Sequence, residues 1–80
     1  MSNAAAYAEL VYHAVRKKQY ETALSYLDRA ISLNGRLAPA YASRAVARFA
    51  LGRKDLARED ARRAVVLDPA LAGGLDDLLR

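Results

Sequence analysis

Apolar side chains return every three or four residues along most of the chain, the spacing of a helix face and not the alternation of a strand. The first such stretch predicts a helix from about Ala4 to Lys17, with Tyr7, Leu10, Val11 and Ala14 on its inward stripe. A second runs from about Tyr20 to Leu33 with Ala23, Leu24, Leu27, Ala30 and Ile31 inward. Asn34-Gly35 is expected to end it, because glycine takes the left-handed C-terminal conformation without a Cβ clash. Pro39 fits the first turn of a third helix, where its missing N–H is not needed. That helix carries Tyr41, Ala42, Ala45, Val46 and Phe49 and stops at Gly52. A fourth covers about Lys54 to Leu67, with Leu56, Ala57, Ala64, Val65 and Leu67 as its apolar set. Asp55 sits in its first turn, at the positive end of the helix dipole. Asp68-Pro69 closes it, since a residue before proline resists the α region. A short fifth helix is predicted around Leu71 to Leu79, with Leu71, Leu75, Leu78 and Leu79 on one side. Gly73 and Gly74 weaken its start by about 1 kcal/mol each relative to alanine. The connections are short, so consecutive helices should be antiparallel neighbours.

The pattern is written twice, at a period of about 34 residues. Ala4, Ala6, Tyr7 and Ala8 recur as Ala38, Ala40, Tyr41 and Ala42, and Ala23, Arg29, Ala30 and Leu33 recur as Ala57, Arg63, Ala64 and Leu67. Glu21, Ile31 and Asn34 return conservatively as Asp55, Val65 and Asp68. A fixed period of this length implies stacked units whose shared surface, not a catalytic cleft, carries function. Ala23 and Ala30, like Ala57 and Ala64, lie seven apart on one helix face. A side chain without a γ atom lets the partner helix come close there.

These positions resemble the tetratricopeptide repeat. The second unit carries the resemblance through Tyr41, Arg44-Ala45, Leu51-Gly52, Ala57, Ala64 and Leu67-Asp68-Pro69. The first carries it through Tyr7, Leu10, Ala23, Leu27, Ala30 and Leu33-Asn34. Departures are Val11 at a small-residue position, Lys17-Lys18 in place of a glycine-containing turn, and Gly35 in place of proline. In the second unit, Arg44, Arg48 and Ala61 stand where large apolar residues are common.

The resemblance implies an all-α fold: two antiparallel helical hairpins in a short right-handed superhelical stack, closed by a short capping helix. Residues 1–80 would form one domain, with repeats at about 4–37 and 38–71 and the cap at about 71–80. It further implies a shallow concave groove lined by the first helix of each unit, holding a peptide or protein segment. The groove would take Ala5, Glu9, Tyr12 and Arg16 from the first unit and Ala42, Val46 and Phe49 from the second. Tyr12, Val46 and Phe49 could instead pack the units together, and for Val46 packing is the favoured alternative. The paired lysines and asparagines of the family's carboxylate-gripping groove are absent, so a chaperone tail is not an expected partner. With two units only, pairing of the chain with itself through its groove or an exposed repeat face is the alternative function.

Composition adds exclusions. Thirteen cations, ten of them arginine, against nine anions give a net charge of +4, a slight preference for acidic partners. Arg44 with Arg48, and Arg58 with Arg62, are spaced as helical pairs, which raises nucleic-acid binding as a less favoured alternative. Interleaved Asp55, Glu59 and Asp60 point instead to a solvated face, with surface ion pairs such as Glu59–Arg63. There is no cysteine, so no disulfide or thiolate metal site is available. His13 is the only histidine and reads as a surface or interface residue, since Glu9 beside it lacks a nucleophile to activate. No enzyme, metal or cofactor is expected. No apolar run approaches the roughly 18 residues of a membrane span, and the N-terminus lacks an export signal, so a cytoplasmic location is expected. Met1-Ser2-Asn3-Ala4 reads equally as native sequence or as a remnant of expression.

Overall fold

Four helices of nearly equal length fold as two hairpins: α1 (Asn3–Arg16) with α2 (Tyr20–Leu33), and α3 (Ala38–Ala50) with α4 (Lys54–Leu67). The computed structural model describes residues 3–80, with side chains from Ala6 onward. Each hairpin owns a small core. Val11, Ala14, Ala23 and Leu27 are buried together in the first, and Tyr41, Ala45, Ala61, Ala64 and Leu75 in the second. α2 and α3 pack side by side and join the hairpins, while α1 meets α3 only along a narrow strip.

The positions of the repeat signature behave as small-residue seams. Ala23, Ala45, Ala57 and Ala64 are fully buried, and Leu27 and Ala30 are nearly so. Tyr7 is half-buried and stacks obliquely on Tyr26, with ring centroids 6.3 Å apart. Leu10 departs from its expected inward role and is 42% exposed. The reason is positional. Leu10 corresponds to Arg44 of the second unit, whose side of α3 is covered by α2; the same side of α1 has no helix against it. Leu56, also expected inward, is half-exposed, and Asp60 and Ala61 take the buried side of α4 instead.

The expected fifth helix is broken. Asp68 accepts a hydrogen bond from the Ala70 backbone N–H and starts a 3-10 turn at Pro69–Leu71, and a second turn covers Gly73–Leu75. Only Asp76–Leu79 is α-helical (α5), since two adjacent glycines cost too much backbone entropy to continue a regular helix. Leu75 is nonetheless buried, and Leu71, Leu78 and Leu79 pack around it against α4 and α3. The cap closes the C-terminal end of the stack.

The turns also correct one expectation. Gly35 is not left-handed. Asn34 ends α2 in an extended conformation, its N–H bonded to the Ala30 carbonyl, and its side chain accepts from the Arg36 N–H. The Tyr41 hydroxyl donates to the Gly35 carbonyl at 3.0 Å and fixes the loop. The left-handed positions lie at the opposite ends of the hairpins: Gly52, with φ 80°, and its counterpart Lys18, with φ 58°. Lysine carries a Cβ penalty there that glycine does not. Lys18→Gly should therefore stabilise the fold by about 1 kcal/mol, and Gly52→Ala, which meets no neighbouring atom, should cost about the same through φ alone. Urea denaturation of the two variants checks both signs.

Candidate protein-binding surface

α3 divides its surface among three directions. Tyr41, Ala45 and Arg48 face α4, Arg44 lies between α4 and α2 and reaches both, and Val46 and Phe49 lie on the remaining side, with Ala42 at its edge packed against the second core. Val46 and Phe49 are 43% and 42% exposed, and Ala42 is half-buried. Val46, for which packing between the units is the favoured expectation, belongs to neither buried core and is exposed. On α1 the equivalent side carries Tyr12, the counterpart of Val46 and 58% exposed, with Arg16 one turn on and Glu9 exposed on its flank. Ala5 lies outside the residues whose side chains are described.

Tyr12 is held from two directions. Arg16 Nη1 donates to its hydroxyl at 3.2 Å, with the guanidinium 5.6 Å from the ring centroid. The His13 ring meets Tyr12 edge-on at 5.7 Å. An open hollow along α1 is bordered by Ala8, Glu9, Tyr12 and His13. His13 is exposed, as expected. Among the described residues no group of three or more His, Cys, Asp or Glu is arranged to hold a metal ion. No helix of the described residues is long and apolar enough to cross a membrane.

Behind this surface lies a feature that residue spacing misread. Arg44 and Arg48 are not a solvated pair. Both converge on Asp60, which is only 4% exposed. Arg44 binds its carboxylate in a fork, Nε and Nη2 each at 2.9 Å, and Arg48 Nη1 approaches at 2.6 Å. Arg44 Nη1 also reaches Asp28 on α2 at 3.0 Å, so one side chain ties three helices. The guanidiniums of Arg44 and Arg63 both lie over the Tyr41 ring, at 5.4 and 5.7 Å. The hydrogen bond to Asp60, opposed by burial and helped by the nearby carboxylate charges, raises the Arg44 pKa above its ordinary value. A raised cation pKa means that this stabilisation is complete across the ordinary pH range and lost only in strong alkali. Among the described residues, the expected surface pairs of Asp55, Glu59, Arg62 and Arg63 do not form. Part of the signal was available: Arg44 and Arg48 stand at positions where large apolar residues are common, and charges placed inward must pair, but the spacing along α4 does not single out Asp60 as their partner.

Two hairpins in register, seamed by alanine and bearing apolar side chains on an open helix face, define a helical-repeat protein. The family model of the tetratricopeptide repeat matches residues 4–36 and again 38–71, and the chain belongs to that family. No curated protein matches it. Tetratricopeptide repeats are generally protein–protein interaction modules and typically non-catalytic scaffolds.

The Asp60 cluster makes a sharp stability prediction. Asp60→Ala leaves two partly buried guanidiniums without their carboxylate and should cost about 3–5 kcal/mol. Replacing Arg44, Arg48 and Asp60 together by leucine or methionine should recover most of that loss, because an apolar trio needs no pairing. Chemical denaturation of the single and triple variants measures the difference.

Proposed function

We propose that the chain is a non-catalytic module that holds a peptide or protein segment along the concave side formed by α1 and α3. One observation supports this above the others: Val46 and Phe49, the large aliphatic and the phenylalanine of α3, stand half-exposed while Ala38, Tyr41, Ala45 and Ala47 of the same helix are buried. Tyr12 occupies the place of Val46 on α1, one repeat earlier, while Val15, the counterpart of Phe49, is half-buried against the first core. Tyr12, Val46 and Phe49 act as anchors, with Arg16 as a charged guide. Full burial of such a side chain contributes about 1.5–3 kcal/mol. About half of that remains to be gained at each anchor because all three are already half-buried, so the anchors supply part of the affinity and other contacts the rest.

A second reading has its own observation. Leu10 and His13 lie exposed on the side of α1 whose counterpart on α3, around the fully buried Ala47, is covered by α2. A second copy of the chain is the partner this uncovered side favours, as a route to self-association. Peptides selected from a random display library on the purified chain test the groove reading. Their binding should fall at least tenfold with Tyr12→Ala, Phe49→Ala and stay unchanged with Leu10→Ser. Selected peptides that bind the double variant as well as the parent refute it. For self-association, sedimentation should show a dimer lost on Leu10→Ser, and a monomer at high concentration removes that reading.

A further inference from the structure

Taking the groove reading as its basis, we propose that the segment it holds is acidic as well as apolar, running from Tyr12 and Phe49 onto a basic edge. That edge is built by the α1–α2 and α3–α4 turns, which lie side by side: Arg53 of the second turn reaches Glu21 at the start of α2 at 2.6 Å. Arg16 ends the first helix of one unit, Lys17 and Lys18 form the turn after it, and Lys54 opens the second helix of the other. All four are exposed, and among the described residues none of them pairs with a carboxylate. The acidic residues of this edge are Glu21, already taken by Arg53, and Asp55. Of the other cations, Arg44 and Arg48 are spent on Asp60 and Arg80 lies beside Asp76, while Arg29, Arg36, Arg62 and Arg63 are exposed and form no ion pair among the described residues.

Two further facts favour a partner over plain solvation. Tyr12 and Phe49 lie in the C-terminal halves of α1 and α3, the halves that lead into this edge, so apolar anchors and free cations adjoin. And Lys18 holds a left-handed backbone where its repeat counterpart is Gly52. Folding stability alone favours glycine there, so the lysine is carried at a local cost. A polyanionic nucleic acid suits the edge less well. Four cations beside three exposed apolar anchors, with Glu9 and Asp55 among them, make a mixed surface and not a phosphate track. The segment is internal, because no paired lysine and asparagine set is present to grip a terminal carboxylate.

The test starts from random dodecapeptides displayed and selected on the chain, followed by fluorescence anisotropy of the selected sequences made as amidated peptides. The selected pool should be enriched in Asp and Glu beside Leu, Phe or Tyr. Affinity should weaken about tenfold with Lys17→Glu, Lys18→Glu, and measurably with Arg16→Gln, Lys54→Gln, the differences shrinking at high salt. Arg62→Glu, on the outer side of α4, should leave affinity within about twofold, well inside the spread for a remote surface charge. A pool without acidic enrichment, or affinities indifferent to both edge variants, overturns the proposal. If that pool is still lost with Tyr12→Ala, Phe49→Ala, the groove reading survives and only the acidic chemistry fails. Displacement of the selected peptides by single-stranded RNA or duplex DNA at lower concentration than by competing peptide also overturns it, and assigns the edge to phosphate.

Discussion

The close approach of helices across alanine seams is the constraint on which everything else in this chain depends. Ala23, Ala45, Ala57, Ala61 and Ala64 are fully buried, and among the described residues Leu27 is the large side chain that comes nearest to this. A core built from methyl groups is thin. It removes little apolar area per residue, and a chain of this size is marginal by surface-to-volume scaling alone. What it gains is geometry: helices close enough that short charged side chains can cross from one to the next.

The Asp60 cluster is a consequence of that geometry. With Ala61 beside it in place of a large apolar residue, α4 leaves room for a carboxylate and two arginine stems. Arg44 then serves both as a buried ion and, through its methylenes and its stacking on Tyr41, as packing material. The Asp28 arm is different in kind. Asp28 is largely exposed, so that contact fixes the angle between the hairpins more than it stabilises them. Buried pairs of this sort seldom raise stability over an apolar equivalent, but they penalise every arrangement in which the partners miss each other. Here that penalty falls on mispacking of α2, α3 and α4.

Much of this was legible in the residues. The bounds of α2 and α4 follow from the period, the Asn34 and Asp68 ends, and the apolar spacing, because local rules and tertiary packing agree there. Where the reading failed, tertiary context outweighed local pattern. Leu10 has helix-face spacing, but a stripe becomes a core only when a neighbour covers it, and α1 has one flank open. Leu56 yielded its place to Asp60 because burial of a charge is decided by its partners Arg44 and Arg48 on another helix, which periodicity along one helix does not see. Gly35 carried a glycine signal that the Asn34 and Tyr41 hydrogen bonds overrode, while Lys18 adopted the left-handed turn with no residue signal of its own. The repeat did contain that last signal, since Gly52 holds the same place in the second unit. Of the proposed surface, Tyr12, Val46 and Phe49 are picked out by repeat position, and the basic edge only by the adjoining of two turns.

α1 and α3 are not held alike, and under the proposed groove reading this bears on how a segment would bind. α3 is fixed on both flanks, by α4 through the core and the Asp60 cluster and by α2 through Asp28, so Val46 and Phe49 ride on a preorganised helix. α1 is packed mainly against α2, and its exposed Tyr12 is steadied chiefly by Arg16 and His13 on the same helix. An anchor on a rigid element loses little entropy on binding, whereas one on a singly supported helix must be ordered by the partner itself. The α3 half is therefore suited to supply the apolar register of recognition. Under the same reading the α1 half, with Arg16 at its end and Lys17 and Lys18 in the turn beyond, is suited to supply charge attraction, whose longer range tolerates imprecise placement.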